Sequence, residues 1–482
     1  MQDVYAITLI GFFIFMFGVA LWASRRVNDA ADFIVAGRGL SRTVVMGTLI
    51  ATWFGAGSLT VSANLVADEG LVITGLEPFG VGFCLILAGW VYARRLWEAK
   101  VLTLADLIRN RFGSQAEKLQ VIFNISYFGW IAVQLLAIGN IFEMVFGLDA
   151  ALSIVIVTVI LTVYTLLGGM WSVALTDVVQ VSVLVVGLVM LTASVLLHVG
   201  DGSLWPGLEF LFSQTPAEKR VWIPTDTLAN FNYWLGLFLV GALGNLASQD
   251  FVQRIFAAQS ADIAASSSVY SGLIYIVLAM LPVFLGLAGP LLLPADQLDS
   301  VVTALTQQFL SPLMSVILIL TLTAAITSTV DSALLGPAST FAQNFLRYRF
   351  GDRVSTLTLT RYCVVGVAAC SAGLALSGTA AIDLLQSSYT LGIPPLVILT
   401  FALYQRETYP QPAVLTLVLG LIIWGYDMLR LLLPETVTNL FTEEWLPLPL
   451  TILLVSLFAY VVSHAYYSRR QQPFVAAPTE SS

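Results

Sequence analysis

The sequence predicts an all-α polytopic membrane protein with 13 transmembrane helices, arranged as two inverted five-helix repeats. Three observations carry that prediction. Of the 482 residues only 10% are charged and 58% are hydrophobic, where a soluble domain carries about 25% charged residues. The few basic residues fall almost entirely on alternate loops between the apolar runs. Two of those runs are interrupted by glycine at matching places, each the first helix of a five-span block.

The spans follow from length, since a bilayer core needs about 20 apolar residues. Span one is 4–23, uncharged and with no basic leader before it, and is read as an uncleaved span rather than a signal peptide. Arg25, Arg26, Arg38 and Arg42 follow, around the run FIVAGRGL. Span two is 43–66 and span three 71–93; the basic stretch 94–118 reads as a short loop holding an amphipathic helix. Spans four, five and six are 119–146, 150–167 and 172–198. The connection 200–230 is the longest polar one and contains Pro206, Pro216 and Pro224. Spans seven to eleven are 231–251, 264–292, 311–341, 355–376 and 382–404, and the last two are 413–432 and 446–466. Grouped by block, these give an N-terminal helix and loop (1–42), a first repeat (43–198), an external loop (199–230) and a second repeat (231–404). Two C-terminal helices (405–467) and a polar, disordered cytoplasmic tail (468–482) complete the chain.

Charge sets the orientation. With Arg25 and Arg26 inside, 18 of the 21 Lys and Arg residues lie on the cytoplasmic side, and only Lys219, Arg220 and Arg430 lie opposite. That bias places the N-terminus outside and the C-terminus in the cytoplasm, in the plasma membrane or, in a bacterium, the inner membrane. Cys84, Cys363 and Cys370 are too few for a disulfide framework. His198 and His464 stand at span ends, so no mid-span metal or nucleophile–base cluster argues for an enzyme. The tail is too short for a signalling module.

Span nine concentrates hydroxyls in an apolar segment: Thr321, Ser328, Thr329 and Ser332 share a face with Ala325, and Asp331 adds a carboxylate. Small hydroxylated residues also serve plain helix–helix packing in membranes. The broken helices supply a second partner for this face. Span two carries ATWFGAGS, Ala51 to Ser58, and span seven GALGNLASQ, Gly241 to Gln249. Paired interruptions in inverted repeats point to a transport site at the midplane, where freed carbonyls coordinate a cation. Such carbonyls in span two, with Ser328 and Thr329, would offer five oxygens to a hard cation.

At this point the chain resembles the sodium:solute symporter family, built on the leucine-transporter fold, over residues 27–406. The resemblance rests on YTLLGGMWSVALTDVVQ (Tyr164 to Gln180), AAITSTVDSALL on span nine, AGRGL after span one and the QDFVQR run from Gln249 to Arg254. It implies Na+ as coupling ion, held by the carbonyls of Ala51, Phe54 and Ala325 and the hydroxyls of Ser328 and Thr329. It also implies that Asp177 lies near the ion's cytoplasmic exit. In some members that aspartate joins a second sodium site; here Ser332 is available for it, but Asp331 stands where those members have serine, which argues against a second ion. The local wording is most similar to the family's high-affinity choline transporters. Trp53 and Trp130 match two positions of an aromatic cage that holds choline by cation–π attraction. Ser248 and Val81 stand where the family has aromatics, and both tryptophans could equally be packing residues. Gln249 follows the second break and can face the same cavity. The resemblance therefore implies a sodium-coupled symporter, not an enzyme, for a small organic solute, a choline-like amine or an amino acid, working as a monomer or weak oligomer in the lipid bilayer without nucleic acid. Symport of a sugar or monocarboxylate, and proton coupling through Asp177 or Asp331, are the alternatives.

Overall fold

The computed structural model describes residues 2–377, 390–432 and 446–474. The start of the expected eleventh span, the loop before the thirteenth and the end of the tail lie outside the described residues. Among those described, the architecture is entirely helical, with no β-strand. Helix covers most of the described part of each expected span, with interruptions at 54–55 in the second and 244–248 in the seventh. Among the described residues, eight stretches are long and apolar enough to cross a membrane, including Gly57–Glu98 and Ala150–Val199 at 42 and 50 residues. Each of these two has more than twice the length a single crossing requires.

The principal helices are α1 (Gln2–Ser24), α2 (Arg42–Trp53), α3 (Ser62–Glu69), α4 (Val81–Leu87), α5 (Leu104–Phe112), α6 (Ser114–Ile122), α7 (Ser126–Phe146), α8 (Ala150–Val199) and α9 (Leu204–Gln214). They continue with α10 (Leu228–Leu243), α11 (Gln249–Ala257), α12 (Ala261–Leu292), α13 (Val301–Phe309), α14 (Pro312–Phe341), α15 (Thr356–Ala375), α16 (Ile393–Tyr404), α17 (Pro410–Leu432) and α18 (Leu448–Tyr467).

Two packed groups position the site. Helices α2, α3 and α4 pack along α12, while α7, α8 and α15 pack around α14. Helix α2 also touches α8 and α14, which brings the groups together at its C-terminal end. Every residue of α14 from Thr321 to Thr340 is buried, so this helix has no lipid-facing side along that length. Its start is conventional: Ser311 accepts from the Met314 N–H at 3.4 Å, and Pro312 occupies the first turn, where no N–H is needed.

The expected loop between spans five and six is instead a sharp bend inside α8. Gly169 adopts φ 51° and ψ −137°, and a Cβ there would sit 2.3 Å from the Phe33 carbonyl oxygen. Both the dihedral and the close approach require glycine. The amphipathic helix expected in the basic loop is α5, opened by a capping box in which Thr103 and Asp106 each take the other's backbone N–H. The long connection after α8 also contains a helix, α9, that the prolines had not announced.

Candidate functional site

The first break begins where α2 ends at Trp53 and Phe54 leaves helical geometry, with φ −87° and ψ 67°. Carbonyls in a last helical turn lack their i+4 donors. The Ala51 carbonyl accepts instead from the hydroxyls of Ser328, at 3.1 Å, and Thr329, at 3.4 Å, on α14. Both hydroxyls also reach the Ala325 carbonyl, at 2.9 and 3.1 Å. Four of the five predicted oxygens are thus gathered in one place, and Phe54 is fully buried at the turn itself. The set is neutral and all-oxygen. Hydroxyls can turn their hydrogens away and present lone pairs, so it fits a hard monovalent cation.

The far side of this break is held by a residue that sequence reasoning missed. Gln134 of α7 accepts the Ala56 N–H at 3.0 Å and so caps the resumed helix. A Cβ at Gly55 would lie 2.6 Å from the Thr329 hydroxyl oxygen and 2.9 Å from Oε1 of Gln134. Glycine at this position lets the break seat against both.

One turn further along α14 lies a buried charged cluster. Asp177 and Arg254 form an ion pair at 3.3 Å with both side chains fully buried. Thr48 donates to the same Asp177 oxygen, and Arg254 donates to Ser332. Asp331 accepts from Thr165 at 3.2 Å. Oδ1 of Asp177 and Oδ2 of Asp331 are buried with no hydrogen-bond partner. Arg254 belongs to the QDFVQR run, but nothing in the run alone indicated that its guanidinium would be interior.

The second break is wider. Helix α10 ends at Leu243, and the chain runs through Gly244 to Ser248 before α11 starts at Gln249. It lines a small cavity of about 40 Å³, together with Tyr127, Trp130, Gln249 and Gly392. No lining residue is charged. The Gln249 Oε1 accepts the Leu104 N–H at 2.8 Å, while its Nε2 has no partner. Ser248 also lines this cavity, its hydroxyl donating to the Asn245 carbonyl at 2.7 Å. Tyr127, another residue not foreseen, donates to the buried Asp250. Of the two predicted cage tryptophans, only Trp130 lines the cavity. Trp53 packs on Phe251 with ring centroids 5.5 Å apart, and its Nε1 has no partner. A larger cleft of about 550 Å³ runs between α3, α7 and α14 as far as Ile326, just short of Ser328.

Two interrupted helices packed against a helix buried from Thr321 to Thr340, inside a multi-pass bundle, define a membrane protein of the leucine-transporter fold. The chain belongs to the sodium:solute symporter family, whose model matches residues 33–348. It is 27% identical over 373 residues to the high-affinity choline transporter 1 of Drosophila melanogaster, a match covering 73% of this chain and 58% of that protein. Against the human high affinity choline transporter 1 the identity is 26%, covering 72% of this chain and 63% of the relative. The matches thus span about three fifths of these relatives' length. Among solved structures, a Na+-coupled sialic acid symporter in a substrate-bound outward-open state shares the fold, with a TM-score of 0.78 at 16% identity. That likeness covers 98% of this chain and 99% of the other.

Proposed function

We propose that this protein is a sodium-coupled symporter that moves a small organic solute across the membrane by alternating access. The observation that carries the reading is the Ala51 carbonyl, freed by the break and met by two hydroxyls of α14. Sodium is bound there by Ala51, Phe54, Ala325, Ser328 and Thr329. A tenfold sodium gradient is worth ~1.4 kcal/mol, and each charge crossing ~100 mV adds about 2.3 kcal/mol. One ion is therefore enough to drive concentration of a neutral solute by orders of magnitude.

The solute occupies the cavity at the second break. Its faces are Trp130 and Tyr127, its polar groups include Gln249, Ser248, Gln120 and Asn124, and it holds no basic residue to recognise an anion. That chemistry suits a compact cation or zwitterion, and the name of the relatives, high-affinity choline transporter 1, points the same way. A choline-like quaternary amine is the first candidate and an amino acid the second. Residues 43–198 and 231–404 act as the inverted repeats of a thirteen-span protein with its C-terminus in the cytoplasm.

Thermal shift of the purified chain tests this. Quaternary amines should raise the melting temperature in sodium and not in potassium, because a ligand stabilises only the state that binds it. Stabilisation by amines that ignores sodium but follows pH would favour proton coupling instead. The unpartnered carboxylate oxygens of Asp177 and Asp331 are the groups that reading would use.

A further inference from the structure

The resemblance raised a second cation site, built from Asp177 and Ser332. The geometry around those two residues does not fit a second metal ion, because a cation of the chain's own already engages both. Arg254 projects from α11 into the cluster and is fully buried. Its Nε donates to the Thr48 hydroxyl at 2.9 Å and to the Thr48 carbonyl at 3.3 Å. Its Nη1 donates to the Asp250 carbonyl at 2.8 Å. Its Nη2 donates to Oδ2 of Asp177 at 3.3 Å and to the Ser332 hydroxyl. Every nitrogen of the guanidinium is engaged, and the acceptors come from α2, α8, α11 and α14.

These acceptors are a carboxylate, two hydroxyls and two carbonyls. Without the arginine they would make an oxygen-rich, negatively charged pocket, the environment a hard cation selects. A guanidinium satisfies the same oxygens differently, as a planar array of donors that stays charged at any physiological pH. It is also tethered, so it cannot dissociate into either compartment. An ion bound here would be released in each cycle; an arginine is not.

We infer that Arg254 is a resident counter-cation that takes the place of a second coupling ion at Asp177 and Ser332, and so limits the protein to one sodium per cycle. This rests on the proposed sodium coupling, and the test separates the two. Equilibrium binding of radioactive sodium to the purified full-length chain should saturate at one ion per chain. Arg254→Met removes the charge and leaves Asp177 uncompensated, and it should raise the count to two. Arg254→Met combined with Asp177→Asn should return it to one, and Arg254→Lys, which keeps a charge in place, should stay at one.

Two ions on the unmodified chain, or a folded Arg254→Met chain that still binds one, would overturn the role of Arg254 and leave the Ser328 and Thr329 site standing. No bound sodium on the unmodified chain would instead remove the coupling reading itself. If Arg254→Met does not fold, Ser332→Ala decides the matter. The count should remain at one with an affinity within about threefold, since Ser332 faces the guanidinium rather than an ion; loss of a bound sodium overturns the inference.

Discussion

The two interrupted helices use one device to different ends. At the first break only two residues, Phe54 and Gly55, leave the helix, and the surrounding polar groups are matched at close range: Ala51 with Ser328 and Thr329, Ala56 with Gln134. At the second, the chain runs from Gly244 to Ser248 outside any helix and opens onto free space walled by Trp130 and Tyr127. A tight break concentrates carbonyl oxygens on a point, which is what a bare ion requires. A loose break makes room without concentrating charge, which is what an organic solute requires. The proposed assignment of ion to the first break and solute to the second rests on this difference in how many residues leave the helix.

The sharpest way to break this comparison is a pair of glycine substitutions. Gly55→Ala drives a Cβ against the Thr329 hydroxyl at 2.6 Å, and Gly392→Ala drives one against the Gly244 carbonyl at 1.7 Å. Overpacking of this kind costs about 1–3 kcal/mol or more. The first should lower sodium affinity by about a hundredfold and the second should lower solute affinity by as much, each read by binding of the labelled ligand. If both substitutions disturb both ligands equally, the division of labour is wrong.

Next in size are Ser328→Ala and Thr329→Ala. Each removes one oxygen from the proposed ion shell, and at about 1.5–3 kcal/mol for a bond to a charged partner each should weaken sodium activation at least tenfold. Unchanged sodium dependence of uptake in both would refute the assignment. On the solute side, Trp130→Leu should weaken a quaternary amine by about thirtyfold, from a desolvated cation–π contact of ~2 kcal/mol, with less effect on a neutral isostere of the same shape. The smallest effect is assigned to Trp53→Leu. Since Trp53 packs against Phe251 rather than facing the cavity, amine affinity should change less than about threefold while packing loss lowers the melting temperature. A larger effect on affinity would return Trp53 to the solute site.

Much of this was legible in the sequence, because the decisive signals are local. Mid-span glycines marked both breaks, and adjacent hydroxyls on an apolar helix marked the face that meets the first. Gly168 and Gly169 gave no such clear signal, since the same two residues serve a loop or a bend, and the structure makes a bend within α8. Gln134 could not have been singled out: its role depends on where α7 lies against a break some 80 residues earlier, and an isolated glutamine in an apolar helix has no signature of a cap. Trp53 and Trp130 were indistinguishable by type. The rotation of α2 about its own axis sends one ring onto Phe251, while α7 turns the other toward the cavity. Arg254 was written in a recognised run, yet a basic residue at a helix end normally reads as cytoplasmic. Only the convergence of four helices makes it interior.

The hydrogen bond between Gln249 and Leu104 gives the cavity a chemical polarity. A backbone N–H can only donate, so the oxygen end of the Gln249 amide must face Leu104, and the amine end must face inward. With Oε1 committed and Nε2 unpartnered, this wall of the cavity offers a donor and no acceptor. A solute whose end away from its cationic head carries an accepting oxygen, such as a hydroxyl or a carboxylate, gains a bond there. One that presents N–H groups finds its acceptor instead at Oε1 of Gln120, which lines the same cavity and has no partner. In the proposed solute site the two amides thus fix where a solute's acceptor and donor can bond, and the first turn of α5, which lines the cavity with Leu104 and Ala105, sets the orientation of one of them.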